Sequence, residues 1–280
     1  MTIREAVQNA ARRLEEAGVP DPRIDAQWLL EHVTGMSRMQ MLLQGANELT
    51  AEQEQRLSSL LLSRAQRKPL QYLLGTQYFY GLAFHVDERA LIPRQETEGL
   101  CELGIRHLKE LAGPTSALDL CTGSGAIAVT LKHECPQTAV TASDLSGDAL
   151  SLAKQNAQSN QADVQFLQGD LFAPLEGMRF DLILSNPPYI RTEECKTLQP
   201  EVMQEPLMAL DGGEDGLEFY RRISDGAKAH LTQRGMIAVE AGDHEAQDIA
   251  EFFRASGFHH VQIHNDLYGM PRMVSALAEE

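Results

Sequence analysis

Cysteine is scarce in this 280-residue chain: Cys101, Cys121, Cys135 and Cys195 are widely spaced, with no C-x-x-C pair among them. Neither a disulfide framework nor a zinc site is expected, and the nine histidines include no H-E-x-x-H to supply one. His259, His260 and His264, in a strand-like run near the end, read as surface or satisfied residues. The G-x-x-x-x-G-K-[ST] phosphate loop and the G-x-S-x-G nucleophile elbow are also missing, which removes triphosphate cradling and serine acyl transfer. No apolar run is long enough to span a bilayer. The opening "MTIREAVQNAARRLEEAG" carries Glu5 and mixed charges where a targeting segment has a basic patch and an apolar stretch, so a soluble, cytoplasmic protein is expected.

Basic residues are in deficit, 24 Lys+Arg against 40 Asp+Glu, for a net charge of -16. Residues 1–95 balance at 11 and 11, leaving 13 basic against 29 acidic residues in the remainder. Such a surface repels phosphate backbones, so neither a membrane nor a nucleic acid is expected as a direct partner.

What is present falls into three regions. Ile3, Val7, Ala10, Ala11 and Leu14 recur at helical spacing before Gly18, and "IDAQWLLEHVTG" and "TAEQEQRLSSLLLSRAQRK" repeat the pattern. Thr50 and Gln53 stand in capping-box positions. Met36, Met39 and Met41 are expected to fill core gaps. Residues 1–72 thus read as a helical bundle and 73–93, with short aromatic runs broken by glycine, as a β-hairpin linker. Residues 94–280 alternate strand-like and helix-like segments, the mark of a doubly wound α/β sheet.

In the third region "DLCTGSGAIA" places Gly123 and Gly125 between a strand and a helix, where glycine lets the backbone turn sharply and approach a ligand, and Ala128 lets the helix sit close to the sheet. Asp144 ends the next strand about 20 residues on, suited to accept the two ribose hydroxyls of an adenosine. Asp170 follows a third strand, suited to accept from an exocyclic adenine amine. Asp119, just before the glycines, would repel a pyrophosphate and attract a cation. A cationic nucleoside fits best, and S-adenosylmethionine, leaving as S-adenosylhomocysteine, is the candidate cofactor.

"DLILSNPPYI" then ends a doubly buried strand. Pro187 forces Asn186 into extended backbone, the two prolines offer carbonyls without N–H groups, and Asn186 adds an amide oxygen. Asn186, Pro187 and Pro188 can hold an NH2 group by both hydrogens and turn its weak lone pair toward an electrophilic methyl, with Tyr189 stacked on the planar group.

With "NPPY" and "DLCTGSGAIA", the stretches "PLQYLLGTQYFYGLAFHVDERALIPRQETEGL", "EVMQEPLMALDGGEDGLEFYRRI" and "DLYGMPRMVSA" make the chain resemble the HemK/PrmC family of release factor glutamine N5-methyltransferases over essentially its whole length. The resemblance implies a class I methyltransferase sheet of seven strands whose last, "RMVSALAE", is antiparallel. It also implies a helical domain that helps bind class I peptide chain release factors. The substrate would be the glutamine of their Gly-Gly-Gln loop, held by Asn186 and the Pro187 carbonyl beside Tyr189. Cys121, Thr122, Gly123, Ser124, Gly125, Asp144, Leu171 and Asn186 would line the cofactor site. Three positions depart from the family pattern: Cys121 stands for glycine, Gln95 for proline and Glu245 for glutamine.

Within the same chemistry a ribosomal-protein glutamine or a DNA adenine could be the acceptor. Outside it, the G-x-G-x-x-A loop and Asp144 also suit a nicotinamide oxidoreductase, which leaves "NPPY" without a role, and a non-catalytic release-factor adaptor would need neither.

Overall fold

The computed structural model describes residues 1–279, which form two compact units. The first comprises Met1–Gly75 and, further along the chain, Gln199–Gln204. Its helices are α1 (Ile3–Glu16), α2 (Pro22–Thr34), α3 (Arg38–Leu43), α4 (Ala51–Ala65) and α5 (Leu70–Leu74). Reciprocal capping boxes start three of them: Thr2 with Glu5, Ser37 with Gln40 and Thr50 with Gln53. Each satisfies backbone N–H groups that the first helical turn leaves open. Ile3, Ala10, Leu14, Leu29, Leu30 and Leu61 form the core, joined by Met41 and flanked by Met36. Met39 does not join them; it is 64% exposed, because it falls on the outer face of the short α3.

The linear division into residues 1–72, 73–93 and 94–280 differs from these units: the first runs on to Gly75, the hairpin belongs to the second, and residues 199–204 join the first. Glu201 returns to the helices: Arg67 donates to both of its oxygens at 2.6 Å, and Arg64 lies 2.9 Å from Oε1. Arg64 also donates to the buried Asp25 at 2.6 Å. A guanidinium this buried needs compensating carboxylates, so the six-residue segment is retained by charge pairing.

The second unit begins with the hairpin of β1 (Thr76–Phe79) and β2 (Leu82–His85), followed by α6 (Glu96–Glu110). Then come β3 (Ser116–Leu120), α7 (Ala126–Glu134), β4 (Ala139–Asp144), α8 (Gly147–Ser159), β5 (Val164–Gln168) and β6 (Phe180–Ser185). It ends with α9 (Glu218–Ala227), β7 (Leu231–Glu240), α10 (Ala246–Ala255), β8 (His259–Asn265) and β9 (Pro271–Leu277). The sheet order is β5-β4-β3-β6-β7-β9-β8. Strands β3 to β7 pair in parallel, and β9 runs antiparallel to both neighbours, as expected for "RMVSALAE".

Alternation along each strand divides the core. Leu118, Leu120, Ile183 and Ile237 meet α9 and α10 through Tyr220, Ile223, Ile249 and Phe253, while Ala117, Leu182 and Leu184 meet α6 and α7 through Leu100, Ile105, Ala128 and Val129. Strands covered on both faces are mostly apolar, and β6 is buried at every position, Asp181 and Ser185 included. Among the described residues no helix is long and apolar enough to cross a membrane.

Candidate active site

The parallel strands of the second unit end at one edge of the sheet, and a cavity of about 430 Å³ opens there, within the ~300–1,000 Å³ typical of small-molecule sites. Cys121, Thr122, Gly123, Ser124, Asp144, Asp170, Leu171, Asn186 and Pro188 line it together. The sequence-predicted residues Gly125, Pro187 and Tyr189 are not in its wall.

Gly125 acts from behind. Its φ of +83° starts α7, and a Cβ there would stand 3.0 Å from the Ala153 Cβ, so both conformation and space require glycine. The buried Asn156 of α8 braces the same loop by donating to the Ser124 carbonyl at 2.9 Å, while it accepts from the His85 N–H at 2.7 Å. Sequence periodicity gives no hint of this role for Asn156.

Three carboxylates surround the loop. Asp144 accepts the Gly123 N–H and the Ser146 N–H, each at 2.8 Å, and burial raises its pKa against the pull of those bonds. Each oxygen keeps a lone pair for a further donor. Asp119 is fully buried; its Oδ2 accepts the Thr122 hydroxyl at 2.5 Å and the Ala128 N–H at 3.0 Å, while Oδ1 has no hydrogen-bond partner among the described residues. Burial pushes its carboxyl up to about 7. A carboxylate oxygen without a donor beneath the loop favours a positively charged occupant above it. Asp170 is exposed and paired with Arg222 at 2.7 Å.

Two non-glycine residues of the wall have left-handed backbone: Cys121 at φ +63° and Leu171 at φ +47°. The first accounts for the family's glycine there, since an L-side chain is strained in this region. The Cys121 thiol is buried, which drives its pKa upward.

At the end of β6, Asn186 donates from Nδ2 to the Thr97 hydroxyl at 3.1 Å, and its Oδ1 accepts no hydrogen bond among the described residues. Thr97, in the first turn of α6, donates in turn to the buried Glu240 at 2.6 Å. The segment after Asn186 is clamped by "LDGGEDG": the Ile190 N–H donates to the Leu210 carbonyl at 2.9 Å and the Gly212 N–H to the Ile190 carbonyl at 2.8 Å. A Cβ on Gly212 would lie 2.6 Å from the Tyr189 Cα and 2.8 Å from the Pro188 oxygen, so only glycine fits. Among the described residues the Pro187 carbonyl takes no backbone hydrogen bond.

Tyr189 does not stack over the cavity as expected; its ring packs against the core, close to Gly242 and Glu245. Two prolines hold the backbone so that this side chain turns under the corner, and burial drives its phenol upward in pKa. Glu245 accepts the Gly242 N–H at 3.0 Å, and burial pushes its carboxyl up to about 7. A glutamine, which the resemblance implies at this position, would accept the same N–H without burying a charge. Arg94 and Glu98 are both engaged: Arg94 pairs with the buried Glu205, which also accepts the Ile92 N–H, and Glu98 accepts the Tyr80 N–H. No contact in the structure explains Gln95.

Residues 5–75 match the family model described as the PrmC N-terminal domain, and residues 101–214 match the methyltransferase small domain. The chain is 42% identical to the release factor glutamine methyltransferase of Deinococcus radiodurans, over 99% of this chain and 98% of that one. The enzyme of the same name from Geobacter sulfurreducens is 40% identical, over 98% and 95%. Among solved structures, a methyltransferase from Pyrococcus furiosus shares the fold, with a TM-score of 0.53 at 21% identity, covering 72% of this chain and 91% of that one. The chain is a class I methyltransferase and belongs to the release factor glutamine methyltransferase family.

Proposed function

We propose that the protein transfers a methyl group from S-adenosylmethionine to the side-chain amide nitrogen (N5) of the Gly-Gly-Gln glutamine of class I peptide chain release factors. When bound, the cofactor supplies an electrophilic methyl on a sulfonium. In this reading Asp144 accepts the ribose hydroxyls, Asp170 the adenine amine, and Asp119 favours the positive charge. Cys121, Thr122, Gly123, Ser124, Gly125 and Leu171 shape the wall.

Asn186 Oδ1 and the Pro187 carbonyl take the two hydrogens of the substrate amide, which turns its lone pair toward the methyl carbon. With the cofactor bound, the nitrogen–carbon bond would form as the carbon–sulfur bond breaks, S-adenosylhomocysteine would leave, and the proton lost by the nitrogen would pass to solvent. Pro188 and Tyr189 support the corner from beneath. The observation that carries the reading is Asn186: it lines the same cavity as Asp144, with its nitrogen committed to Thr97 and its oxygen available.

The helical unit is proposed to recognise the body of the release factor. A protein partner, and not nucleic acid, suits a second part with 13 basic against 29 acidic residues. The cytoplasm, where translation terminates, is the compartment this activity requires.

The test is incubation with labelled cofactor and a release factor, a ribosomal protein or duplex DNA, followed by mass spectrometry. Methylation of the loop glutamine is expected. Label on adenine or on a ribosomal-protein glutamine alone would overturn the assignment.

A further inference from the structure

An asparagine side chain is nearly symmetric in shape but opposite in hydrogen-bonding character at its two ends. For Asn186 to accept from a substrate amide, something must keep its oxygen outward. Turned round, its own NH2 would confront the substrate NH2, donor against donor.

The structure supplies a relay that sets this choice. Glu240 is the last residue of β7 and 3% exposed; Thr97 is 5% exposed. The two lie 143 residues apart in sequence and 2.6 Å apart at their oxygens. An ionised carboxylate can only accept, so the single hydroxyl proton of Thr97 is committed to Glu240. Thr97 then has only lone pairs to offer Asn186, which must meet it with its NH2 group. The reversed amide would set its oxygen against a hydroxyl with no proton left to give.

We infer that Glu240, acting through Thr97, is a positioning residue that fixes the orientation of the Asn186 amide and thereby makes its oxygen the acceptor for the substrate glutamine. The inference rests on the acceptor role proposed for Asn186.

The relay is also sensitive to protons. Burial pushes the Glu240 carboxyl up to about 7; the Thr97 bond, Arg272 of β9 and the Asn186 amide favour the charged form, and Glu96 of α6 opposes it. Tyr189 and Cys101 lie within its electrostatic reach, and the Tyr220 hydroxyl donates to its backbone carbonyl at 2.8 Å. Protonated, Glu240 can itself donate to Thr97, whose proton is then free to select either end of Asn186. Orientation is therefore firm above neutral pH and loosened below it.

The test measures kcat, the release-factor KM, cofactor affinity and the pH profile of the full-length protein. Thr97→Val is expected to lower kcat about 30-fold, and Glu240→Gln about 10-fold at pH 8, with KM and cofactor Kd within about 2-fold of wild type, as for a misoriented reactive group. Glu240→Gln should also lose part of the fall in kcat below pH 7. Thr97→Ser, which keeps the hydroxyl, should remain within about 3-fold of wild type. Asn186→Ala separates the two readings. If it keeps wild-type kcat, the acceptor role itself fails. If it loses activity while Thr97→Val and Glu240→Gln keep theirs, the relay alone is overturned. Should one of these two fail to fold, the other decides, and a loss of more than about tenfold in Thr97→Ser would count against the relay in either case.

Discussion

The two halves of the same sheet edge proposed to face cofactor and substrate, the glycine loop and the Asn186 corner, are held in different ways. Around the glycine loop, Asp119 and Asp144 take backbone N–H groups and a hydroxyl from residues 2, 3, 9 and 21 positions away. At the Asn186 corner the support passes through side chains, across 89 positions to Thr97 and from Thr97 across 143 positions to the buried carboxyl of Glu240. Both halves rest on buried carboxyls whose pKa burial raises, Asp119 and Asp144 in the first and Glu240 in the second. In the first the carboxylates hold the loop backbone directly, whereas in the second the carboxyl acts on Asn186 through the Thr97 side chain.

The largest expected effect tests whether the substrate half can tolerate any shift. Gly212→Ala forces a Cβ onto the backbone of Tyr189, Gly216 and Pro188 at 2.6–2.8 Å. A destabilisation of about 3 kcal/mol is expected from overpacking, measured by urea unfolding. With it should go about a 100-fold loss of methyl transfer, because the corner is displaced.

Next in size, Asp144→Asn probes the cofactor half. It should weaken cofactor binding by about 2 kcal/mol, the worth of hydrogen bonds to a charged group, with the release-factor KM unchanged by titration calorimetry and steady-state kinetics. A fall in kcat at unchanged cofactor affinity would erase the proposed distinction between the halves.

Proton linkage sharpens the contrast further. The Glu245 carboxyl ionises near 7 in the fold against an ordinary 4.5, so between those values the folded protein holds a proton that the unfolded chain has released. The stability this contributes is full below about 4.5 and is lost as pH rises through about 7, about 3 kcal/mol in all. Glu245→Gln should come closest to wild type at pH 5 and exceed it by about 3 kcal/mol at pH 8 in denaturant titrations. Equal pH slopes in the two proteins would mean that the carboxyl is not buried as described.

The smallest effect belongs to the loop. Cys121→Gly should change stability by no more than about 1 kcal/mol, since relief of the left-handed backbone offsets the lost thiol burial, whereas Cys121→Val should cost about 2 kcal/mol. Thermal melts distinguish the two.

The difference between the halves also governs what could be read from the residues alone. Gly123, Gly125 and Asp144 form a local pattern after one strand and its successor, so the glycine-loop end of the cavity was legible, as was the end of β6 at Asn186. Thr50 with Gln53 and the hairpin after Gly75 were legible for the same reason: their partners are a few residues away. Thr97 and Glu240 carry no such signal, because only the sheet register brings α6 and the end of β7 to one point. Tyr189 shows the limit most sharply. Its position beside the corner followed from "NPPY", but the side its ring takes depends on Gly242 and Glu245, more than fifty residues later. Glu201 belongs to the same class, since charge pairing draws it to helices that precede it by over a hundred residues.

The return of Gln199–Gln204 to the helices has a practical side. An expressed fragment ending at Gly75, the cut that a linear map invites, would lack the only carboxylate that grips Arg67 and one of the two that face Arg64 among the described residues. Such a fragment should melt early, and adding a synthetic peptide that spans residues 199–204 should raise its melting temperature, a complementation that a peptide with alanine at position 201 could not reproduce.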